Sequence, residues 1–541
     1  MAVCTVREDI NGAVPEVTGS YQQLPQISTG ACFYLVSKKD VVMSGTKYQK
    51  ISNALNLESA TKLTKKVRTG EVRSEDLVGA FGFRARRVQV LLNAVVEERY
   101  DKAAQDGYLA DQLVNTGEKT ETELAKEKPL LGIPISISEA CKVEGMSYSI
   151  GSVIRQGRKA DRDGRAVALL KKAGAIPLVV SNQPEFGLGA ETYNHVTGRT
   201  ANPYCRQRSV GGASGGEATL ISSGASVIGL GTDFGGSIQI PAMFAGVFGH
   251  KPTPGLISSE GHYAESTDEP YGNRVGVGPL VRYAEDLPLL ISVLADEKAP
   301  LLKLKEPVDM GRLRVLYIDE PTKSFGMPKI SKEIQQLIKK AANHLSTSCG
   351  CQTQMVNNMR FKQMEHAPEI SSAILFSIKS LPDVFSEVDT DNPKMKPNVL
   401  LELVKSLFGL SRHTTGALHF SLLKHFNCML SPSKTEQYIK EGEQLKTDLV
   451  ECLSEDGVIL FPTFPTAAYY HRESAVRTLD FSYSALISAM GLPATHVPMG
   501  LNSKGLPIGI QVVAAPYKDR LCFAVAKELE RAFGGWVPPS N

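Results

Sequence analysis

Two glycine clusters, Gly211-Gly212-Ala213-Ser214-Gly215-Gly216 and, close behind it, Gly229-Leu230-Gly231-Thr232-Asp233-Phe234-Gly235-Gly236-Ser237, decide how this chain folds. Glycine at that density marks backbone that approaches something closely or adopts conformations a Cβ forbids. The first cluster opens a helix of small residues running through Ser223. Its string Gly212-Ala213-Ser214-Gly215-Gly216 also satisfies G-x-S-x-G, a nucleophile turn that needs a strand immediately before it. Arg206, Gln207, Arg208 and Ser209 are poor strand material, which argues against that reading. A phosphate loop fails too, because no Lys-Ser or Lys-Thr pair follows the glycines. The second cluster suits a nucleophile better. Phe234, Gly235, Gly236 and Ser237 offer consecutive backbone N–H groups beside a hydroxyl, a nest able to hold an oxyanion. A glycine turn capped by a serine is the plainer alternative.

Outward from the clusters the pattern is that of a layered α/β protein. Leu130 to Ser138 alternates in its second half and reads as a buried strand, and Ala175 to Val180 reads as another. Ala166 to Lys172 between them reads as a crossover helix, so the order strand, helix, strand predicts a largely parallel twisted sheet with helices on both faces. A helical pattern starts at Leu57, and Val78, Phe81, Val88, Leu91 and Leu92 form the apolar side of the next helix. Ile334, Leu337, Ile338, Ala341, Ala342 and Leu345 recur at helical spacing. Leu400 to Leu430 is a long apolar region broken by Arg412, His413 and Lys424, and Ile508 to Val513 is expected to close the sheet after the turn Ser503-Lys504-Gly505. Residues 1 to about 50 show little periodicity and read as an irregular arm.

Composition removes several function classes. In 541 residues, 22% charged residues and a formal charge of +3 leave no basic excess to attract nucleic acid. Nine scattered cysteines, an odd number, argue against a disulfide framework and for a reducing, cytoplasmic setting. Cys349-Gly350-Cys351 lacks a second ligand pair, so no metal and no cofactor is expected. No stretch reaches the roughly 20 apolar residues of a spanning helix, and Arg7, Glu8, Asp9 and Glu16 break any secretory signal core. A peripheral membrane contact and a homodimer stay open.

Both clusters, in this order and spacing, resemble the amidase-signature family. Leu131-Gly132-Ile133-Pro134, Asn202-Pro203-Tyr204, His250-Lys251-Pro252-Thr253-Pro254-Gly255 and Gly505-Leu506-Pro507-Ile508-Gly509-Ile510-Gln511 add family-like blocks. Arg282 to Leu287 and Phe533 to Val537 look most like its fatty-acid-amide-hydrolase branch. The resemblance covers residues 55–536 as one α/β domain, with an arm over 1–54 and a tail over 537–541. It implies a mixed central sheet, hydrolysis of amides of long-chain acids, and a lipid-like acyl ligand. It also makes the Leu400 to Leu430 region a candidate acyl channel or membrane-facing cap, with an ordinary core helix pair as the alternative.

The resemblance also implies a catalytic unit that this chain only partly keeps. The family uses a nucleophilic serine, a second serine held by a cis peptide bond, and a lysine ending the strand after Gly-Ile-Pro. Carried over by position, the nucleophile is Ser237, the cis-serine position is Ala213 and the lysine position is Ser138. Gln239 stands where arginine is common, and Ser214 remains as a supporting hydroxyl. A neutral lysine is a competent base, whereas a serine hydroxyl is far too weak a base near neutral pH and alanine relays nothing. With no hydroxyl to position, the Gly212–Ala213 bond is expected to be trans. Two readings follow: a pseudoamidase that binds lipid amides, or a hydrolase that uses Ser237 with an unrecognised base, for which Lys142 is the nearest amine in sequence.

Overall fold

The computed structural model describes residues 50–266, 268–318, 328–356, 358–381, 384, 399–426 and 430–540. Its strands in chain order are β1 (Val95–Glu98), β2 (Pro134–Ser138), β3 (Ile176–Ser181), β4 (Tyr193–Asn194), β5 (Gly198–Arg199), β6 (Ile228–Asp233), β7 (Phe248–Lys251), β8 (Gly276–Val281), β9 (Arg314–Tyr317), β10 (Gln352–Met355), β11 (Gly457–Pro462), β12 (Ala494–Leu501) and β13 (Pro507–Ala514). Eleven form one sheet in the order β1-β3-β2-β6-β8-β7-β12-β13-β11-β9-β10, while β4 and β5 make a small ribbon.

The sheet is mixed, and its two pairing modes are segregated. Parallel pairing joins β3, β2 and β6 in one wing and β11, β9 and β10 in the other. The middle, from β6 through β8, β7, β12 and β13 to β11, is antiparallel, as is the β1 edge. The predicted strand-helix-strand unit is β2, helix Arg165–Lys172 and β3, and it lies in the first parallel wing.

Strands β2, β3, β6, β11 and β13 are buried at every residue, so both faces of the sheet are covered. Over β13 the cover is helix Gln239–Ala245 and the amphipathic helix Asp519–Phe533. Ile508 to Val513 therefore does not close the sheet: β13 lies inside it between β12 and β11, and the edges are β1 and β10. The burial pattern explains the correction, because an edge strand tolerates polar, exposed residues such as Gln352 and Gln354, whereas the apolar β13 needs neighbours on both sides.

Most of the arm expected over residues 1–54 lies outside the described residues, which begin at Lys50. Helices Ala60–Arg68 and Ser74–Leu92 follow, the first capped by Ser59 accepting from Lys62 N at 3.3 Å. The six described cysteines are all free. No helix among the described residues is long and apolar enough to cross a membrane.

Candidate active site

β6 delivers the second glycine cluster to the site. It ends at Asp233, Phe234 to Ser237 turn sharply, and helix Gln239–Ala245 carries the chain away. Gly235 and Gly236 have φ of 68° and 101°, and a Cβ on Gly236 would come within 2.4 Å of Ser484 Cβ, so the turn requires glycine there. Asp233 staples it: Oδ1 accepts from Ile238 N at 3.0 Å and Oδ2 from Ser488 Oγ at 2.9 Å. The Ser488 hydroxyl in turn accepts from Gly235 N at 3.1 Å, so that N–H of the predicted nest already has a partner. Burial raises the Asp233 carboxyl above its usual range, and the Lys251 ammonium opposes this. Ser237 is largely buried, its hydroxyl donating to Phe234 O at 2.8 Å.

The first cluster lies against this turn. Ser214 N donates to Ser237 O at 3.2 Å, and Ser214 Oγ bridges β6 by donating to Thr232 O at 2.8 Å and accepting from Thr232 N at 2.9 Å. Ser214 thus braces the backbone of β6 through both bonds of its hydroxyl. It precedes helix Gly215–Ser222, which lies so close to its neighbours that a Cβ on Gly216 would meet Asn182 O at 2.3 Å. The Gly212–Ala213 peptide is cis, contrary to the expectation of trans. Its flanks are tied independently of any hydroxyl at 213: Gly211 O accepts from Thr192 N and Oγ1, and Gly211 N donates to Ser209 Oγ.

Ala213 and Ser237 share the wall of a small cavity of about 30 Å³, with Ala140, Asp233, His262 and Tyr271. Ser138 is not in that wall. It is buried at the end of β2, where its hydroxyl accepts from Ala140 N at 3.4 Å. Lys142 is not in that wall either: its ammonium is paired with Asp161 at 3.0 Å and Glu265 at 3.1 Å. Gln239 is fully buried with no hydrogen-bond partner for either amide atom.

On its other side Ser237 opens into a larger cavity of about 290 Å³. Gly212, Phe234, Gly235 and Gly236 form its floor, and Phe376, Phe420, Leu423 and Phe481 supply apolar walls. Phe420 and Leu423 come from helix Thr415–Phe426, so part of the apolar region Leu400 to Leu430 does line this space; residues 427–429 of it lie outside the described residues.

Several neighbours were not singled out from the sequence. Glu217 is buried under β2 and β6, its Oε2 accepting from Ser136 Oγ at 2.6 Å, and burial pushes its carboxyl up to about 8. Lys251 is buried too, pushed down to about 8 mainly by desolvation, and its ammonium donates to Leu492 O at 3.2 Å. The signal for both was a single charge inside a run of small or apolar residues. Among the described residues, His344, Cys349 and Glu528 bring ligand atoms within 4.8 Å of one another and could hold a metal, although Glu528 Oε1 already bonds both His344 and Cys349.

The site is thus a serine-bearing turn after a central strand, braced by a second serine at a glycine-rich helix start. The family model described as Amidase matches residues 76–523, and the chain belongs to that family. It is 36% identical over 538 residues to Fatty-acid amide hydrolase 2 of Homo sapiens, covering 97% of this chain and 99% of that relative. Fatty-acid amide hydrolase 2-B of Danio rerio is 37% identical over 506 residues, covering 92% and 94%. Among solved structures, 6-aminohexanoate cyclic dimer hydrolase superposes with a TM-score of 0.70 at 22% identity, over 89% of this chain and 98% of that one. A fatty acid amide hydrolase structure gives 0.66 at 21%, over 90% and 86%.

Proposed function

We propose that this chain binds acyl amides or related lipid-like acyl ligands in the cavity over Ser237 and is a pseudoamidase, impaired in the proton relay its family uses to cleave amides. The observation that carries this reading is the wall around Ser237: an apolar cavity on one side and, on the other, Ala213 at the cis-serine position, with Ser138 buried and absent from that wall. Apolar side chains from three helical segments suit a long acyl chain. The likeness to Fatty-acid amide hydrolase 2 points to the same ligand class.

General acid–base assistance is worth about 10²–10⁴ in rate, and the members of a catalytic unit act non-additively. Fatty-amide hydrolysis is therefore expected to be at least about a hundredfold slower than in Ser138→Lys/Ala213→Ser. The test assays oleamide turnover in both proteins and displacement of a fluorescent acyl amide from each. Equal turnover before and after restoration, or no displaceable binding, defeats the reading.

The exposed row Leu400, Leu401, Val404, Phe408 and Leu410 is the surface we assign to peripheral membrane contact. It leads into the helix that walls the acyl cavity.

A further inference from the structure

His262 stands in the wall of the small cavity beside Ser237 and Ala213, and nothing above gives it a role. Its ring is 5% exposed, and neither Nδ1 nor Nε2 has a hydrogen-bond partner. A buried imidazole with two orphan nitrogens costs free energy, so the pairing left open points to something that enters the cavity. The segment carrying it is fixed. Lys142 N donates to Gly261 O at 3.0 Å, Tyr263 N to Ala140 O at 2.8 Å, and Cys141 and His262 form a β-bridge. His262 is thereby stitched to the chain that continues from Ser138.

From this arrangement we infer that His262 does the work of the missing lysine, accepting the Ser237 proton through one water seated beside Ala213, and that the site cleaves acyl esters. The inference rests on the acyl-ligand reading above. A space of about 30 Å³ is enough for one water, and Ala213 leaves that space where a serine hydroxyl would project. Burial holds the imidazole down at about 4, so it is neutral and able to accept a proton throughout the physiological range. The other titratable groups around the ring are Asp233, Tyr263 and Tyr271 of the cavity wall and Cys141 across the bridge. Asp233 is committed to Ser488 and Ile238, which leaves His262 the acceptor.

The step balances without a further reagent. Ser237 Oγ bonds to the acyl carbon while its proton passes to the water and a water proton passes to the imidazole. The carbonyl electron pair moves onto oxygen over the glycine floor, then returns as the C–O bond to the alkoxide breaks. The imidazolium gives its proton back through the same water to the alkoxide. A second water, activated in the same way, releases the acid. Esters are favoured over amides because an alkoxide leaves far more readily than an amide nitrogen that has not first been protonated, and a base this weak leaves less driving force for attack.

The experiment measures Ser237 labelling by a fluorophosphonate and hydrolysis of p-nitrophenyl butyrate in the full chain, His262→Gln and His262→Ala, the last with and without added imidazole. Both rates should fall about 10²–10⁴-fold in the two variants, and imidazole should restore part of the loss in His262→Ala. Rates unchanged by either substitution, or a parent protein whose Ser237 does not label, overturn the inference, as does a loss that imidazole leaves untouched in a folded His262→Ala. The two substitutions differ in volume, and circular dichroism separates misfolding from lost chemistry. Displacement of the acyl probe is read on the same proteins. Binding without His262-dependent labelling defeats this inference alone, and His262-dependent labelling without binding defeats the acyl-ligand reading alone.

Discussion

Glu217 shows how much a single residue can report. Its carboxyl is pushed from the ordinary 4.5 up to about 8 by burial, against the pull of the Ser136 hydroxyl. Between those values the folded protein keeps the proton while the unfolded chain loses it, so this group makes stability fall as pH rises from about 4.5 to about 8. Glu217→Gln removes the titration and keeps an acceptor for Ser136. At pH 8 it should be more stable than the parent by on the order of 4 kcal/mol, with the gain vanishing toward pH 4.5. Urea unfolding at several pH values checks this, and parallel profiles refute it. Buried histidines such as His496 titrate identically in both proteins and cancel. Ser214→Ala strips the brace from Thr232 and should cost about 1–3 kcal/mol in the same assay. At this scale the sequence was most informative where neighbours in space are neighbours in the chain. Ser237, Ala213 and Ser214 were legible inside the two glycine clusters. Ser488, His262 and Glu217 were not, because their neighbours in space lie far away in sequence.

Elements were legible in proportion to how far burial shaped their pattern. β2, β3 and helix Arg165–Lys172 follow the apolar period closely, and helix Lys332–Cys349 buries Ile334, Ile338, Ala341, Ala342 and Leu345 as its spacing predicts. Strand order was not legible, since antiparallel and parallel strands buried on both faces carry the same apolar composition. The anchoring of the cavity helix was equally hidden. Glu185 Oε1 bonds His413 Nδ1 at 2.9 Å and Oε2 accepts from Thr414 N at 2.7 Å, fastening the start of Thr415–Phe426 to the turn beside the cavity. Glu185→Ala orphans both groups and should cost about 3 kcal/mol in urea unfolding. The acyl probe should bind more weakly as well. Loss of stability with unchanged affinity would separate the helix from the cavity.

Taken whole, the molecule places Ser237 where the sheet changes character. β6 pairs in parallel with β2 and antiparallel with β8, and Ser237 stands just past its carboxyl end. Helix Thr415–Phe426 walls the cavity from one side and touches Val399–Leu407 on the other. An acyl ligand arriving from a lipid surface would thus meet the exposed row first and Ser237 last. Leu400 is 65% exposed and Phe408 73%, too much apolar surface in one row for scattered surface residues to explain. Each such side chain entering a bilayer interface contributes about 1 kcal/mol or more. Replacing Leu400, Val404 and Phe408 by serine should therefore weaken vesicle binding about a hundredfold, with little change in urea midpoint because each of these residues is more than half exposed. Sedimentation with phosphatidylcholine vesicles gives the partition directly. If the triple variant partitions like the parent, the row is no membrane contact and ligand reaches Ser237 from water.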